Sequence, residues 1–254
     1  MFASDWIAQF PFSLFPFVPF SKTSGETKMT KQFLFAATVT SMIAAGASAS
    51  LVAGWTIPTP VPAGSVSGSY VYGAADVGDA VAGTMLLGVH ASLAAAYSSP
   101  AGNGSSYSLS SNNWTLGDYY QISFSTLGVE AVDVTWDQTR SGTGPSSFSV
   151  LMSIDGGVNW TTSLASYSVL QAGSAGSGTT SWNTVTNQPG FFTTTVALGE
   201  TASNQQQVLV RFSSLVTTAA AGTSRIDNIM VNAVPAPGAI ALLGLACIAA
   251  RRRR

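Results

Sequence analysis

The middle of this 254-residue chain has little charge and few side chains that carry chemistry. Between Ser50 and Ala233 there is no lysine and no cysteine. Three arginines face nine aspartates and glutamates there, a formal net charge of −6. Nucleic-acid binding needs a basic surface, and a Walker-type phosphate loop needs a lysine. The segment therefore predicts neither of these functions.

The shortage of histidine and cysteine bears on metal and catalytic sites. A zinc site takes several His or Cys ligands, whereas this segment holds His90 alone. A Ser-His-Asp triad would need His90 as its base, and no Gly-x-Ser-x-Gly elbow is present. Because its neighbours, Leu86 to Ser92, are mostly apolar, we expect His90 to be a hydrogen-bonded core residue. We predict no catalytic residue and no metal ligand.

A pair of carboxylates is the remaining catalytic pattern to weigh, since glycoside hydrolysis needs two at a defined separation. Glu130, Asp133 and Asp137 are close in sequence. Asp133 and Asp137 would share one face of a strand, and we expect that face to be solvated. A glycan-acting hydrolase is therefore the third-ranked function.

Alternation with a period of two dominates the segment and predicts β-strands with one buried face. The inward sets are Ile122 and Phe124; Val132, Val134 and Trp136; Phe148, Val150, Met152 and Ile154; and Val208, Val210 and Phe212. Val77 to Tyr97 is apolar but contains three glycines, so we interpret it as one or two buried strands. The fold class is all-β, an antiparallel β-sandwich, with a helix in each flanking signal.

A hairpin is predicted at Asp155-Gly156-Gly157, because Asp-Gly suits a type I′ turn with positive φ at both central positions. The surrounding Ser153-Ile-Asp-Gly-Gly-Val-Asn-Trp160 resembles an Asp-box, with Asn159 where that motif has Thr. The resemblance implies that these residues stabilise the hairpin and carry no chemistry. Calcium or sugar contact at Asp155 is the alternative.

The N-terminal region carries an export pattern. Residues 29–49 have a basic start, an apolar run and Ala47-Ser-Ala49, which predicts a signal peptide cut after Ala49. Residues 1–28 are rich in Phe and Pro, and we interpret them as a mis-called extension with translation starting at Met29. A long signal-peptide n-region starting at Met1 is the alternative.

Residues 234–254 combine a Pro-containing motif, an apolar run and Arg251, Arg252, Arg253 and Arg254. Four arginines are costly to move across a bilayer and favour the cytoplasmic side. The tail resembles the PEP-CTERM sorting signal through Val234, Pro235, Pro237, Gly238 and Ala239, although Ala236 stands where that motif has Glu. The resemblance implies cleavage by an exosortase-like membrane transpeptidase. An ordinary single-span anchor is the alternative, but the apolar run is shorter than the roughly 20 residues of a stable span.

The two terminal signals predict domain 50–233 as an exported ectodomain of the cell surface or extracellular matrix. The predicted partners are the Sec translocon, signal peptidase, an exosortase-like enzyme, surface polysaccharide and, through the C-terminal helix, the membrane. Blocks at 98–104, 114–120, 140–145 and 225–229 resemble secreted sandwich proteins with the same tail, which implies a jelly-roll-like fold. Arg225 and Asp227 should share a face of the last strand and form an ion pair, with one side of a ligand cleft as the alternative.

Two functions remain open for the ectodomain. The first is a non-catalytic surface or matrix protein. The alternative is a carbohydrate-binding, lectin-like module, with Trp114, Tyr119, Tyr120 and Trp182 as candidate ligand-binding residues. Acidic loops could also hold Ca²⁺, although we predict no required cofactor. An exposed aromatic row on one sheet face would favour the lectin-like function, and its absence would favour the matrix function.

Overall fold

The computed structural model describes residues 50–173 and 181–235. The predicted extension 1–28, the signal peptide 29–49 with Ala47 and Ala49, and the tail from residue 236 lie outside the described residues. That tail includes Pro237, Gly238, Ala239 and Arg251 to Arg254. No helix in the described ranges is long and apolar enough to cross a membrane.

Twelve β-strands account for most of the regular structure in the described residues. The strands are β1 (Ser50–Trp55), β2 (Ser69–Gly73), β3 (Met85–Val89), β4 (Tyr97–Ser98), β5 (Leu109–Ser111), β6 (Tyr119–Phe124), β7 (Val129–Arg140), β8 (Ser147–Ser153), β9 (Thr161–Ser168), β10 (Thr193–Ala197), β11 (Val208–Ser214) and β12 (Ser224–Pro235). A four-residue helix α1 (Pro189–Phe192) and a 3-10 turn (Glu200–Ala202) complete the elements.

The strands form two antiparallel sheets that pack into a sandwich. Sheet I has the order β10-β7-β12-β5-β4, with β1 also paired to β12, and sheet II has the order β2-β3-β6-β11-β8-β9. Each sheet presents one apolar face to the other, as a two-layer architecture requires. The predicted all-β antiparallel sandwich is confirmed.

The alternating residues form the core, as their spacing predicts. Trp136 on β7, Phe148 on β8 and Phe212 on β11 are completely buried. Edge-to-face and tilted contacts connect the core rings, with centroids 4.6 Å apart for Trp136–Phe212 and 5.1 Å for Trp136–Tyr167. Ile154 is the exception at 43% exposed, because β8 ends at Ser153 and Ile154 lies in the hairpin loop.

The ambiguous segment 77–97 holds one complete strand, β3, and the first residue of β4. β3 runs between β2 and β6 in sheet II, and its Leu86 is completely buried. Gly88 faces the Tyr97 ring so closely that a Cβ there would lie 2.7 Å from a ring carbon. The glycine that argues against a helix is therefore required by close packing.

β12 is the central strand of sheet I. It pairs with β7 along one side, and with β5 and β1 along the other. Two residues of the predicted sorting motif belong to this strand, since Val234 pairs with Glu130 and Pro235 with Val129. The folded domain thus continues to the second residue of the motif.

Candidate ligand-binding face

The outer face of sheet II carries a row of half-buried side chains around an arginine. Strand register places Val71, Leu87, Gln121, Arg211, Leu151 and Thr162 side by side across the sheet. Val71 is 57% exposed, and the four residues between it and Thr162 are half-buried. The row is therefore open to solvent along the sheet.

Arg211 lies between two aromatic rings at the centre of this face. Its Cζ lies 4.1 Å from the centroid of Tyr119 and 3.8 Å from that of Trp160. Tyr119 approaches from the Ser213 end of β11, where it pairs with Ser213. Trp160 approaches from the other end, beside Gly157 and Leu209. Both rings are therefore within cation–π range of the guanidinium.

The hairpin between β8 and β9 positions Trp160. The Asp155 carboxylate accepts hydrogen bonds from the backbone N–H of Asn159 (2.9 Å) and from its side-chain amide (2.7 Å). Ser153 Oγ donates to Asp155 and accepts from the N–H of Gly157. The backbone bond from Asn159, followed by the Ser153 bond, lowers the pKa of Asp155 to about 2. Trp160 Nε1 donates to the Gly157 carbonyl (2.9 Å), which fixes the indole over Arg211.

The predicted hairpin is therefore present, with a longer loop than expected. Positive φ occurs at Gly156 (74°) and Gly157 (93°), one position later than the Asp-Gly pair that the sequence indicates. The second strand starts at Thr161, four residues after Gly157. The structural role of Asp155 is confirmed by its hydrogen bonds.

The charge of Arg211 is not matched by a carboxylate. Within the described part of the chain, no acidic oxygen lies within 4.0 Å of its guanidinium, and the ion-pair geometry found there joins His90 and Asp118. Nε of Arg211 donates to Gln121 Oε1 (2.8 Å). Partial burial lowers the pKa of Arg211, yet an arginine remains protonated at neutral pH. The face thus presents an uncompensated cation in an acidic domain.

Three of the four predicted ligand-binding aromatics lie in the interior. Trp114 and Tyr120 are completely buried, and Trp182 is 8% exposed with its Nε1 bonded to the Ala101 carbonyl. They have no exposed ring to offer a ligand. Tyr119 is the one that reaches the outer face. The sequence missed Arg211 as its partner, because the pairing depends on cross-strand register.

His90 belongs to a buried network with the residue types of a catalytic triad. Its Nδ1 lies 3.1 Å from Asp118 Oδ2, and its Nε2 lies 3.0 Å from Ser111 Oγ. His90, Ser111 and Asp118 are each at most 5% exposed, so a substrate cannot reach the hydroxyl. Ser111 Oγ is also bonded to the Tyr120 hydroxyl (3.0 Å). The prediction of a hydrogen-bonded core histidine is confirmed, and burial lowers its pKa.

A second buried network joins two carboxylates on the outer side of sheet I. Asp227 accepts from the N–H of Asn103 (2.7 Å) and from Ser105 Oγ (2.6 Å). Asp137 accepts from the side-chain amides of Asn103 (3.0 Å) and Asn228 (2.8 Å). Burial raises the pKa of Asp227 to about 7, against the opposing effect of these hydrogen bonds.

This network corrects two predictions. Asp137 is 2% exposed, so the face that it shares with Asp133 is not solvated along its whole length. Asp227 is completely buried among neutral donors. It forms no ion pair with the half-buried Arg225, because the Asn103 and Ser105 segment covers its carboxylate.

Neither the network nor its surroundings suit a metal ion. Ca²⁺ requires six to eight oxygen ligands, whereas N–H and O–H donors occupy the oxygens of Asp137 and Asp227. Residues 50–173 and 181–235 contain no group of three His, Cys, Asp or Glu side chains that could hold a metal.

A separate cleft of about 660 Å³ is lined by Glu130, Asp133 and Glu200, among others.

Comparison with known proteins gives structural neighbours and no family match. No protein-family profile matches it, so the PEP-CTERM signal stays a prediction from sequence. No curated protein matches either. The solved structures that are similar include adhesin domains and carbohydrate-binding modules.

The K1 cleaved adhesin domain of Lys-gingipain from Porphyromonas gingivalis W83 is 13% identical, with a TM-score of 0.37, covering 70% of this chain and 95% of that one. A CBM4 structure is 12% identical, with a TM-score of 0.32, covering 71% and 84%. The CBM22-1–GH10 modules of Clostridium thermocellum xylanase 10B, complexed with xylohexaose, are 14% identical, with a TM-score of 0.38, covering 71% and 28%. Similarity at this level identifies no ligand or activity for this chain.

Proposed function

We propose that this protein is an exported, non-catalytic β-sandwich of the cell surface that binds polysaccharide on the outer face of sheet II. The observation that carries the proposal is the placement of Arg211 between Tyr119 and Trp160 on an open sheet face. Sugar rings present C–H faces and hydroxyls, which suit a surface that combines aromatic rings with a polar side chain.

The two sheets differ in how far their outer faces are covered. On sheet I, the segments that contain Asn103 and Asn187 reach over Asp137 and Asp227. On sheet II, Val71 and Met85 are 57% and 40% exposed. Because a polymer needs an extended open surface, the outer face of sheet II is the better candidate.

Location at the cell surface rests on the terminal patterns. The signal-peptide pattern at 29–49 and the motif, apolar run and arginines of 234–254 support export through the Sec translocon and signal peptidase. An exosortase-like enzyme would process the tail, which would contact the membrane until then. The protein would then associate with surface polysaccharide.

The test is polysaccharide binding by a Trp160→Ala variant of the mature domain. Affinity electrophoresis would use surface polymer extracted from the native cells and a set of soluble polysaccharides. We expect the wild-type domain to bind the native polymer and Trp160→Ala to bind at least about tenfold more weakly, a loss of about 1.4 kcal/mol.

Phe191→Ala is the matched control, because Phe191 is an aromatic residue 46% exposed on α1, next to sheet I. It should bind as the wild type does. Equal losses in both variants, or no binding to any polymer by the wild type, would refute the proposed function.

A further inference from the structure

Three neighbouring side chains hold the Arg211 guanidinium on the outer face of sheet II. Gln121 accepts from Nε, and the rings of Tyr119 and Trp160 lie within cation–π distance of Cζ. Although burial lowers the pKa of Arg211, Tyr119 also contributes a side-chain hydrogen bond, which raises it. None of these partners is an acidic side chain, so the cation is left for an anionic ligand to match.

An arginine on an open sheet face is suited to an anionic ligand. A guanidinium offers paired N–H donors that match the two oxygens of a carboxylate. Uronic acids are sugars that carry a carboxylate, so they combine this anion with the C–H faces that suit the neighbouring apolar side chains.

We infer that the outer face of sheet II binds polysaccharide through its carboxylate groups, with uronic-acid residues held by the edge of Arg211. This inference rests on the proposed function and adds the class of sugar to it.

The surrounding residues agree with this assignment. Leu87 and Leu151 lie on either side of Gln121 and Arg211 in the same cross-sheet row, and both are half-buried. They offer apolar surface to the C–H faces of a sugar ring. Asp155, the acidic residue of the neighbouring hairpin, is hydrogen-bonded to Asn159 and Ser153. It forms no ion pair with Arg211 within 4.0 Å.

A matched pair of ligands tests the inference. Polygalacturonate and alginate are polymers of uronic acid, and complete methyl esterification of polygalacturonate removes its charge while keeping its backbone. We expect the mature domain to bind at least one of the two acidic polymers. If that polymer is polygalacturonate, its methyl ester should bind at least about tenfold more weakly than the acid.

Variants of Arg211 give the second part of the test. Arg211→Gln should lose at least about tenfold in affinity for the uronate polymer. Arg211→Lys should lie closer to Arg211→Gln than to the wild type, because an ammonium keeps the charge but lacks the paired donors. Arg225→Gln is the control, since Arg225 is a half-buried arginine on sheet I. Thermal melts would confirm that the variants are folded.

The outcomes separate this inference from the proposed function. Binding of the native polymer without binding of either uronate polymer would overturn the inference and leave the function standing. So would an Arg211→Gln variant that binds as the wild type does while Trp160→Ala does not. If the wild-type domain binds no polymer at all, both the inference and the proposed function are overturned.

Discussion

Asp227 shows at the scale of one residue how burial connects stability to pH. Its pKa is raised to about 7 in the folded domain, whereas an aspartate in an unfolded chain titrates near 3.9. A raised carboxyl pKa stabilises the folded state fully below the unfolded value. That contribution is lost as the pH rises through the folded value.

We therefore expect Asp227 to make the domain less stable as the pH rises from about 4 to about 7. The full effect is on the order of 4 kcal/mol, since each pKa unit corresponds to about 1.4 kcal/mol. Urea unfolding of the wild type and of Asp227→Asn across this range would measure it, because the variant cannot titrate at this position.

The difference between the two proteins is the quantity to compare. His90 contributes with the opposite sign, because burial lowers its pKa and acid favours the unfolded state. Both proteins contain His90, so its effect cancels in the difference. Parallel stability profiles for wild type and variant would contradict the pKa shift of Asp227.

The residue scale is also where sequence reasoning succeeds least. Trp114 and Tyr120 pack in the core and not, as predicted, on a ligand-binding surface. Arg211 and Trp160 are about 50 positions apart in the printed sequence, and only the register of β11 with β6 and β8 brings them together. No local pattern encodes such a contact.

At the scale of elements, β12 holds sheet I together. Its Ile226, Ile229 and Val231 are completely buried, and each contributes about 1.5–3 kcal/mol by burial. Their sum is comparable with the whole stability of a typical domain, about 5–15 kcal/mol. The strand also supplies pairing partners to β1, β5 and β7.

Two truncations follow from this arrangement. A mature chain that stops after Pro235 keeps all of β12, so we expect its melting temperature to equal that of the chain ending at Arg254. A chain that stops after Thr223 lacks β12, and we expect no cooperative unfolding transition. Circular dichroism melts would distinguish them. A cooperative transition in the shorter chain would show that β12 is dispensable.

Elements are predicted better than contacts for a physical reason. The period of two in β6, β7, β8 and β11 is local, and it follows from which face of a strand is buried. The ends of strands are less certain, as Ile154 shows, because residues 154–160 form the loop between β8 and β9. The Asp137–Asp227 network joins residues 90 positions apart, and no alternation encodes it.

At the scale of the whole molecule, the distribution of charge divides the chain into three parts. Residues 50–233 have no lysine, whereas the flanking segments hold seven of the ten basic residues of the chain. Basic residues near apolar runs are typical of segments that remain on the cytoplasmic side of a membrane. The acidic middle is the part predicted to be exported.

The ends of the native protein test this division. We expect protein recovered from its native cells to begin at Ser50 and to lack the apolar run from Ile240 onward. Intact mass and terminal peptides would show both ends. Peptides from residues 1–28 would contradict initiation at Met29, and a retained Ile240 to Arg254 would favour a plain anchor over exosortase processing.

Pairing of the first strand with the last has a consequence for the timing of folding. β1 begins at Ser50 and finds its partner on β12, about 180 residues later. A chain that leaves a ribosome or a translocation channel with its N-terminus first cannot complete sheet I until β12 has emerged. Long-range pairing of this kind is slow to form. The domain therefore reaches its native state only when the predicted tail signal is the next segment to emerge.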